Sequence, residues 1–325
     1  MYRHSRLAAV LGCVAALAVA GCGANGNIAP AAGSAALAQV SDAPIGPGWI
    51  HAGSLSYHVP HYMATRATAH NAVSGILFSY YNGPVLTAPK MYLILWGYKK
   101  YGDPDKVAPL LKEYLSLMGG SGHNNIYTQY YQALVGVNKK TYITNAKGQL
   151  AGVWDDETDA VPKNPTDLDV ATESLAAVKH FGYDASGSYI VATPHNHSTF
   201  GFGTLWCGYH SEADQAGTLV YYTNLPYTPD AGVLCGSARI KAPKDESSWD
   251  EGVTIVEGHE EGESVTDPLV GTGWYNFAVV HGSSKGEIGD VCAWVDIAND
   301  TFGSKSYTMQ PMYSNASESC VHTYQ

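Results

Sequence analysis

Charge is what this sequence has least of. Only 14% of its 325 residues are Asp, Glu, Lys or Arg, against about 25% in an ordinary soluble domain. Basic residues are the scarcer kind: 18 Lys and Arg stand against 29 Asp and Glu, for a net charge of −11. That excludes a nucleic-acid binder, which needs a basic face to neutralise phosphates. No apolar run reaches the roughly 18 residues of a membrane span. No C-x2-C pair occurs among the six cysteines, so a four-cysteine zinc site lacks its usual spacing. The glycines of Gly119-Gly120-Ser121-Gly122 precede no Gly-Lys-Ser/Thr, so they read as a helix C-cap and loop, not a phosphate cradle. There is no internal repeat and no second linker, which favours one continuous domain.

What is abundant is apolar bulk, glycine and tyrosine. Hydrophobic residues make up 45% of the chain, with 35 Gly and 23 Tyr, enough for a sizeable core and too much for wholesale disorder. This composition suits an exported protein. The N-terminus supports that reading, because Arg3 and Arg6 precede an apolar stretch at 7–20 that is too short to span a bilayer. Val19-Ala20-Gly21-Cys22 follows as a lipobox, which would make Cys22 the lipidated first residue and the membrane anchor. Residues 1–21 are then a signal peptide, 22–70 a flexible tether and N-terminal extension, and 71–325 the globular domain. Of the remaining cysteines, the local pairs Cys207–Cys235 and Cys292–Cys320 are the expected disulfides.

Periodicity supplies the elements. Apolar runs at 91–96, 188–193 and 218–223 read as strands, and residues 275–280 and 291–295 as two more joined by a Gly/Ser turn. Helical spacing predicts helices over 107–118, over 168–181 with Asp167 as cap, and over 249–266. Strands and helices intermix. The expected fold is therefore mixed α+β, a central β-sheet flanked by helices.

The charge deficit is uneven. Between Lys244 and Lys285 there is no Lys or Arg, yet nine acids fall there, five of them in residues 257–267 around His259. Such a run reads as a solvated acidic face or as a cation site. The spacing favours the second, since His259 and Glu263 stand at i and i+4 and can point at one ion from one helix face. Glu260 follows the histidine, where a zinc-hydrolase helix keeps its general base. The pattern is HExxE, with a carboxylate that zinc accepts in place of the second imidazole. Glu287 is the best third ligand, with Asp290, His195, His197 and His210 as alternatives. Calcium (Ca2+) is the alternative to zinc (Zn2+), given the many hard oxygen donors. Gly258 and Gly262 weaken the helix by about 1 kcal/mol each, which implies a close neighbour or an irregular segment. Gly282-Ser283-Ser284-Lys285-Gly286 fits G-x-S-x-G, but a strand-like stretch follows where a nucleophile elbow needs a helix, so Ser284 reads as part of a turn.

Several segments resemble the phosphate-induced protein 1 (exordium-like) family. They are Tyr81-Asn82-Gly83-Pro84-Val85-Leu86-Thr87 with Leu93-Ile94-Leu95-Trp96-Gly97, then Gly201-Phe202, Cys207-Gly208 and His210, then Ser264-Val265-Thr266-Asp267-Pro268 and Asp290-Val291-Cys292. Gly203 stands where the plant members have a cysteine, and one glycine is missing before Pro84. Exported bacterial relatives look closer, with an HExxE, Val-Thr-Asp-Pro, Gly-Trp and Glu-Ile-Gly-Asp series, here His259 to Pro268, Gly273-Trp274 and Glu287 to Asp290. The resemblance implies export and fold kinship but no enzyme activity. Two functions are expected from the residues. One is a lipid-anchored zinc hydrolase, peptidase-like, with His259, Glu263 and Glu287 as ligands and Glu260 as base. The other is a non-catalytic envelope protein that binds glycan or protein through a Tyr- and Trp-rich surface.

Overall fold

The structure, a computed structural model, describes residues 48–69, 75–133, 136, 139–241, 248–277 and 286–325. The leader, Cys22 and Ser284 lie outside the described residues. Eight strands form one mixed sheet: β1 (Trp49–Ala52), β2 (Leu55–His58), β3 (His61–Ala64), β4 (Lys90–Trp96), β5 (Leu150–Asp156), β6 (Gly187–Ala192), β7 (Trp206–Gln215) and β8 (Thr218–Leu225). Their order is β1-β2-β7-β8-β6-β4-β5, with β3 also on β7. The β8, β6, β4 and β5 ladders are parallel, and those of β1, β2, β3 and β7 are antiparallel. The central strands are apolar on both faces, as strands covered on both sides must be. Leu93 and Leu95 enter one core, and Ile94 and Trp96 the other.

Among the described residues three helices of twelve or more residues cover the sheet: α1 (Val107–Met118), α2 (Asp167–Phe181) and α3 (Glu251–Thr266). Apolar residues of α1 and α3 join the core of Leu93, those of α2 the core of Ile94. The mixed α+β fold with helices flanking a central sheet is as expected, and both disulfides pair as expected, Cys207 with Cys235 and Cys292 with Cys320. Among the described residues no helix is long and apolar enough to cross a membrane.

Four local expectations need correction. Residues 49–64, which a domain boundary at 71 leaves in the extension, are strands of the sheet; Gly53 at φ 67° turns β1 into β2. The cap of α2 is Thr166, one residue early, because Thr166 and Asp169 close a reciprocal capping box. Of the strand expected over 275–280, the described residues 275–277 show strand only at Tyr275, in the pair Trp274–Tyr275 bonded to Ser79–Tyr80, and residues 278–280 lie outside the described residues. The strand expected over 291–295 is instead a 3-10 turn, Asp290–Cys292. There Cys292 is tied to Cys320, and Trp294 holds a φ of 62°, which no strand tolerates.

Helix α3 carries most of the remaining interest. All sixteen of its residues are buried, five glutamates included, so the solvated-face reading fails. The helix is regular, and its glycines admit neighbours. A Cβ on Gly258 would collide with Met309, and one on Gly262 with Met312; the Tyr114 and Tyr127 hydroxyls would lie 2.8 and 2.9 Å away. Buried carboxylates need a donor, a proton or a cation. Glu251 has donors, the backbone N–H groups of Arg239, Ile240 and Lys241 at 2.6, 2.9 and 2.9 Å. Glu257 and Glu261 keep protons: burial holds Glu257 well above the usual carboxyl range and pushes Glu261 up to about 8. Glu260 and Glu263 face histidines.

Candidate metal centre

The site forms where α3 crosses β7 and β3. Gly208 permits the crossing, since a Cβ there would sit 2.6 Å from Val256 Cγ1 and 3.3 Å from Glu260 Oε1. Two residues on, His210 points from the same strand face at the helix. His61 lies directly opposite His210 in the antiparallel β3–β7 register, where paired side chains share a face with Cβ atoms about 5 Å apart. The Glu287-Ile288-Gly289-Asp290 turn closes the third side.

Donor atoms of His61, His210, Glu263 and Glu287 all lie within 4.8 Å of one another, and a second such group is His259, Glu260 and Glu263. These groups can hold a metal ion. His210 Nε2 is 3.3 Å from Glu287 Oε1, His210 Nδ1 is 3.5 Å from Glu263 Oε2, and His259 Nε2 is 3.2 Å from Glu263 Oε1. His61 Nδ1 contacts Glu287 Oε2. Donors about 2.0–2.1 Å from a tetrahedral zinc stand about 3.3–3.4 Å from each other, which the His210 Nε2–Glu287 and His259 Nε2–Glu263 separations match, while the His210–Glu263 contact uses the other ring nitrogen, Nδ1. Some pairs are near without being aligned: His210 Nε2, both nitrogens of His259 and Glu287 Oε1 make no hydrogen bond among the described residues. Every one of these side chains is buried except His61, 16% exposed, which marks the open side.

The same groups are coupled electrostatically. Burial would lower the pKa of His210, but Glu287, followed by Glu260 and Glu263, holds it well above the usual histidine value. Burial would raise Glu287, yet His61 and His210 hold it below the carboxylate range. Glu287 is thus held ionised in a buried site beside His61 and His210.

Of the residues named from sequence, Glu263 and Glu287 meet in the four-donor group, while His259 joins through Glu263 and lies 3.7 Å from Asp290 Oδ1. Glu260 accepts from Met63 N at 3.3 Å and contacts His210 Nδ1 at 3.2 Å. Among the alternatives, His210 is in the site. His195 is instead held by Asp230 at 2.5 Å, and His197 bonds the His195 carbonyl and packs on Tyr101. His61 escaped sequence reasoning, being 226 residues from Glu287 in a stretch taken as extension. The signal was there: Ile50 to Tyr57 alternate around Gly53-Ser54 as a hairpin does, with a further short strand after Pro60.

One motif residue proves architectural. The Asp267 carboxyl accepts from the backbone N–H groups of Gly271, Thr272 and Gly273 at 2.6, 3.0 and 2.5 Å, which folds the chain back beneath α3. Compared with known protein families, with curated proteins and with solved structures, the chain has no match.

Proposed function

We propose that this chain is an exported, lipid-anchored, zinc-dependent hydrolase of the peptidase kind, in an exordium-like setting. The observation that carries the reading is the convergence of His61, His210, Glu263 and Glu287 on one buried point. Two imidazoles with two carboxylates suit zinc better than calcium, which prefers an all-oxygen shell. A bound zinc ion would polarise a carbonyl and lower the pKa of a coordinated water.

The chain's own residues then divide the work. His210, Glu263 and Glu287 hold the ion from the closed sides, and His61 stands at the open edge where water and substrate enter. Glu260 is better suited to orienting His210 than to acting as free base, since one oxygen meets His210 Nδ1 and the other the Met63 N–H. That is the carboxylate–histidine–metal arrangement that fixes a ligand's tautomer. The acidic surroundings favour a neutral or cationic substrate over a phosphate ester. The export reading rests on Arg3, Arg6, the apolar stretch and Cys22.

The test pairs metal analysis of purified protein with hydrolysis of a fluorogenic peptide library by the unmutated chain and Glu263→Gln. Stoichiometric zinc, and activity lost in the variant, support the reading. Absence of metal, or undiminished hydrolysis in the variant, sinks it. One observation favours a second reading, a non-catalytic envelope protein with a structural ion: four protein donors are the number found in closed structural sites. In that case Glu263→Gln lowers stability, and the unmutated protein hydrolyses nothing.

A further inference from the structure

The HExxE helix offers more donors than one ion uses, and they divide into two sets that share a single carboxylate. Glu263 Oε2 lies 3.5 Å from His210 Nδ1, and Glu263 shares the four-donor group with His61, His210 and Glu287. Its other oxygen, Oε1, faces His259 Nε2 at 3.2 Å and accepts the Asp290 N–H at 2.9 Å. Beyond it, His259 Nε2 lies 3.7 Å from Asp290 Oδ1. Gly289 leaves room for this side, because a Cβ there would stand 2.8 Å from Glu263 Oε1 and 3.0 Å from His259 Nδ1. His259 itself is fully buried, and neither ring nitrogen makes a hydrogen bond among the described residues. An imidazole placed so, against two carboxylates, is a ligand in want of a cation.

We infer that Glu263 bridges two metal positions, one set by His61, His210 and Glu287 and a second on the side of His259, whose donor group with Glu263 includes Glu260 and whose Nε2 lies 3.7 Å from Asp290 Oδ1. This rests on the metal reading above and adds a second divalent cation to it. The class is the imidazole- and carboxylate-accepting ions of the first transition row, zinc or manganese. A bridging carboxylate holds such ions about 3.5–4 Å apart, the spacing of two-metal hydrolytic sites that clamp both the attacking and the leaving oxygen. The arrangement also gives His259 a role that the four-donor group leaves open.

The experiment is zinc stoichiometry of the purified, zinc-loaded chain by elemental analysis, for unmutated protein, His259→Ala and Glu263→Gln. The expected result is two zinc ions per chain, one in His259→Ala with second-site affinity down at least a hundredfold, and none held tightly in Glu263→Gln. Should His259→Ala fail to fold, electron paramagnetic resonance of manganese-loaded unmutated protein decides, since two ions bridged by Glu263 give an exchange-coupled signal. One ion per unmutated chain, or an isolated-ion manganese spectrum, overturns the second position and leaves the single-site reading standing. Two ions retained in His259→Ala overturn it as well, because the second ion then lies elsewhere. No bound metal at all overturns both.

Discussion

Adding one methyl group to Gly289 separates the metal centre from the fold. The backbone there has φ −81° and ψ −45°, ordinary for any L-residue, so Gly289→Ala introduces no dihedral strain. Its Cβ would lie 2.8 Å from Glu263 Oε1, 3.0 Å from His259 Nδ1 and 3.1 Å from His259 Cε1. Ordinary contact requires those two tips to retreat by about 0.5 Å, more than the ±0.2 Å that a metal–ligand distance tolerates. Zinc affinity should fall about 10- to 100-fold, the loss typical of disturbed supporting groups. That equals about 1.4–2.7 kcal/mol. Metal-free stability should change little, because both tips can move. Gly258→Ala is the control, on the same helix but facing Met309 and Tyr114. Overpacking there should cost about 1–3 kcal/mol, less the helix-propensity gain, and leave zinc affinity intact. Competition titration against a chromophoric chelator reads the affinity, and urea denaturation in chelator reads the stability. Equal affinities for Gly289→Ala and unmutated protein, or equal losses in the two variants, would refute the reasoning.

Other outcomes follow from buried groups elsewhere. Glu173, buried on α2 beside Asp156, has its pKa pushed up to about 8, by burial first and then by Asp156. A carboxyl raised in the folded state contributes stability that is intact below the ordinary glutamate value and lost as pH climbs toward 8. Glu173→Gln should therefore gain on the unmutated chain between about pH 5 and 8, by at most about 4–5 kcal/mol; denaturant midpoints that run parallel over that range would count against it. Each disulfide closes a loop with a sequence separation of 28, so losing either should cost about 3–4 kcal/mol by chain entropy. Paired Ser substitutions and calorimetry check this, and a loss under about 1 kcal/mol would contradict it.

The sequence was most legible where one local pattern sufficed. Residues 91–96 and 107–118 form a strand and a helix because their apolar spacing serves the same core, and helix periodicity alone put His259 and Glu263 on one face. Nothing local could show that this face meets β7, since that depends on Gly208 admitting Val256. His61 was hidden for the same reason. Its role comes from register, opposite His210 across a strand pair, and register is a long-range property. The acidic window was read correctly as unusual, but its burial was invisible: three different remedies, backbone donors for Glu251, protons for Glu257 and Glu261, histidines for Glu260 and Glu263, look identical in a string of glutamates. The stretch over 291–295 misled because its apolar residues satisfy a disulfide-tied turn as well as a strand.

Zinc K-edge X-ray absorption on the zinc-loaded protein tests the metal centre most directly. The geometry predicts a first shell of nitrogen and oxygen only, at about 2.0–2.1 Å, with imidazole scattering that falls in His210→Ala. No stoichiometric zinc, a sulfur shell, or a spectrum unchanged by His210→Ala would contradict it.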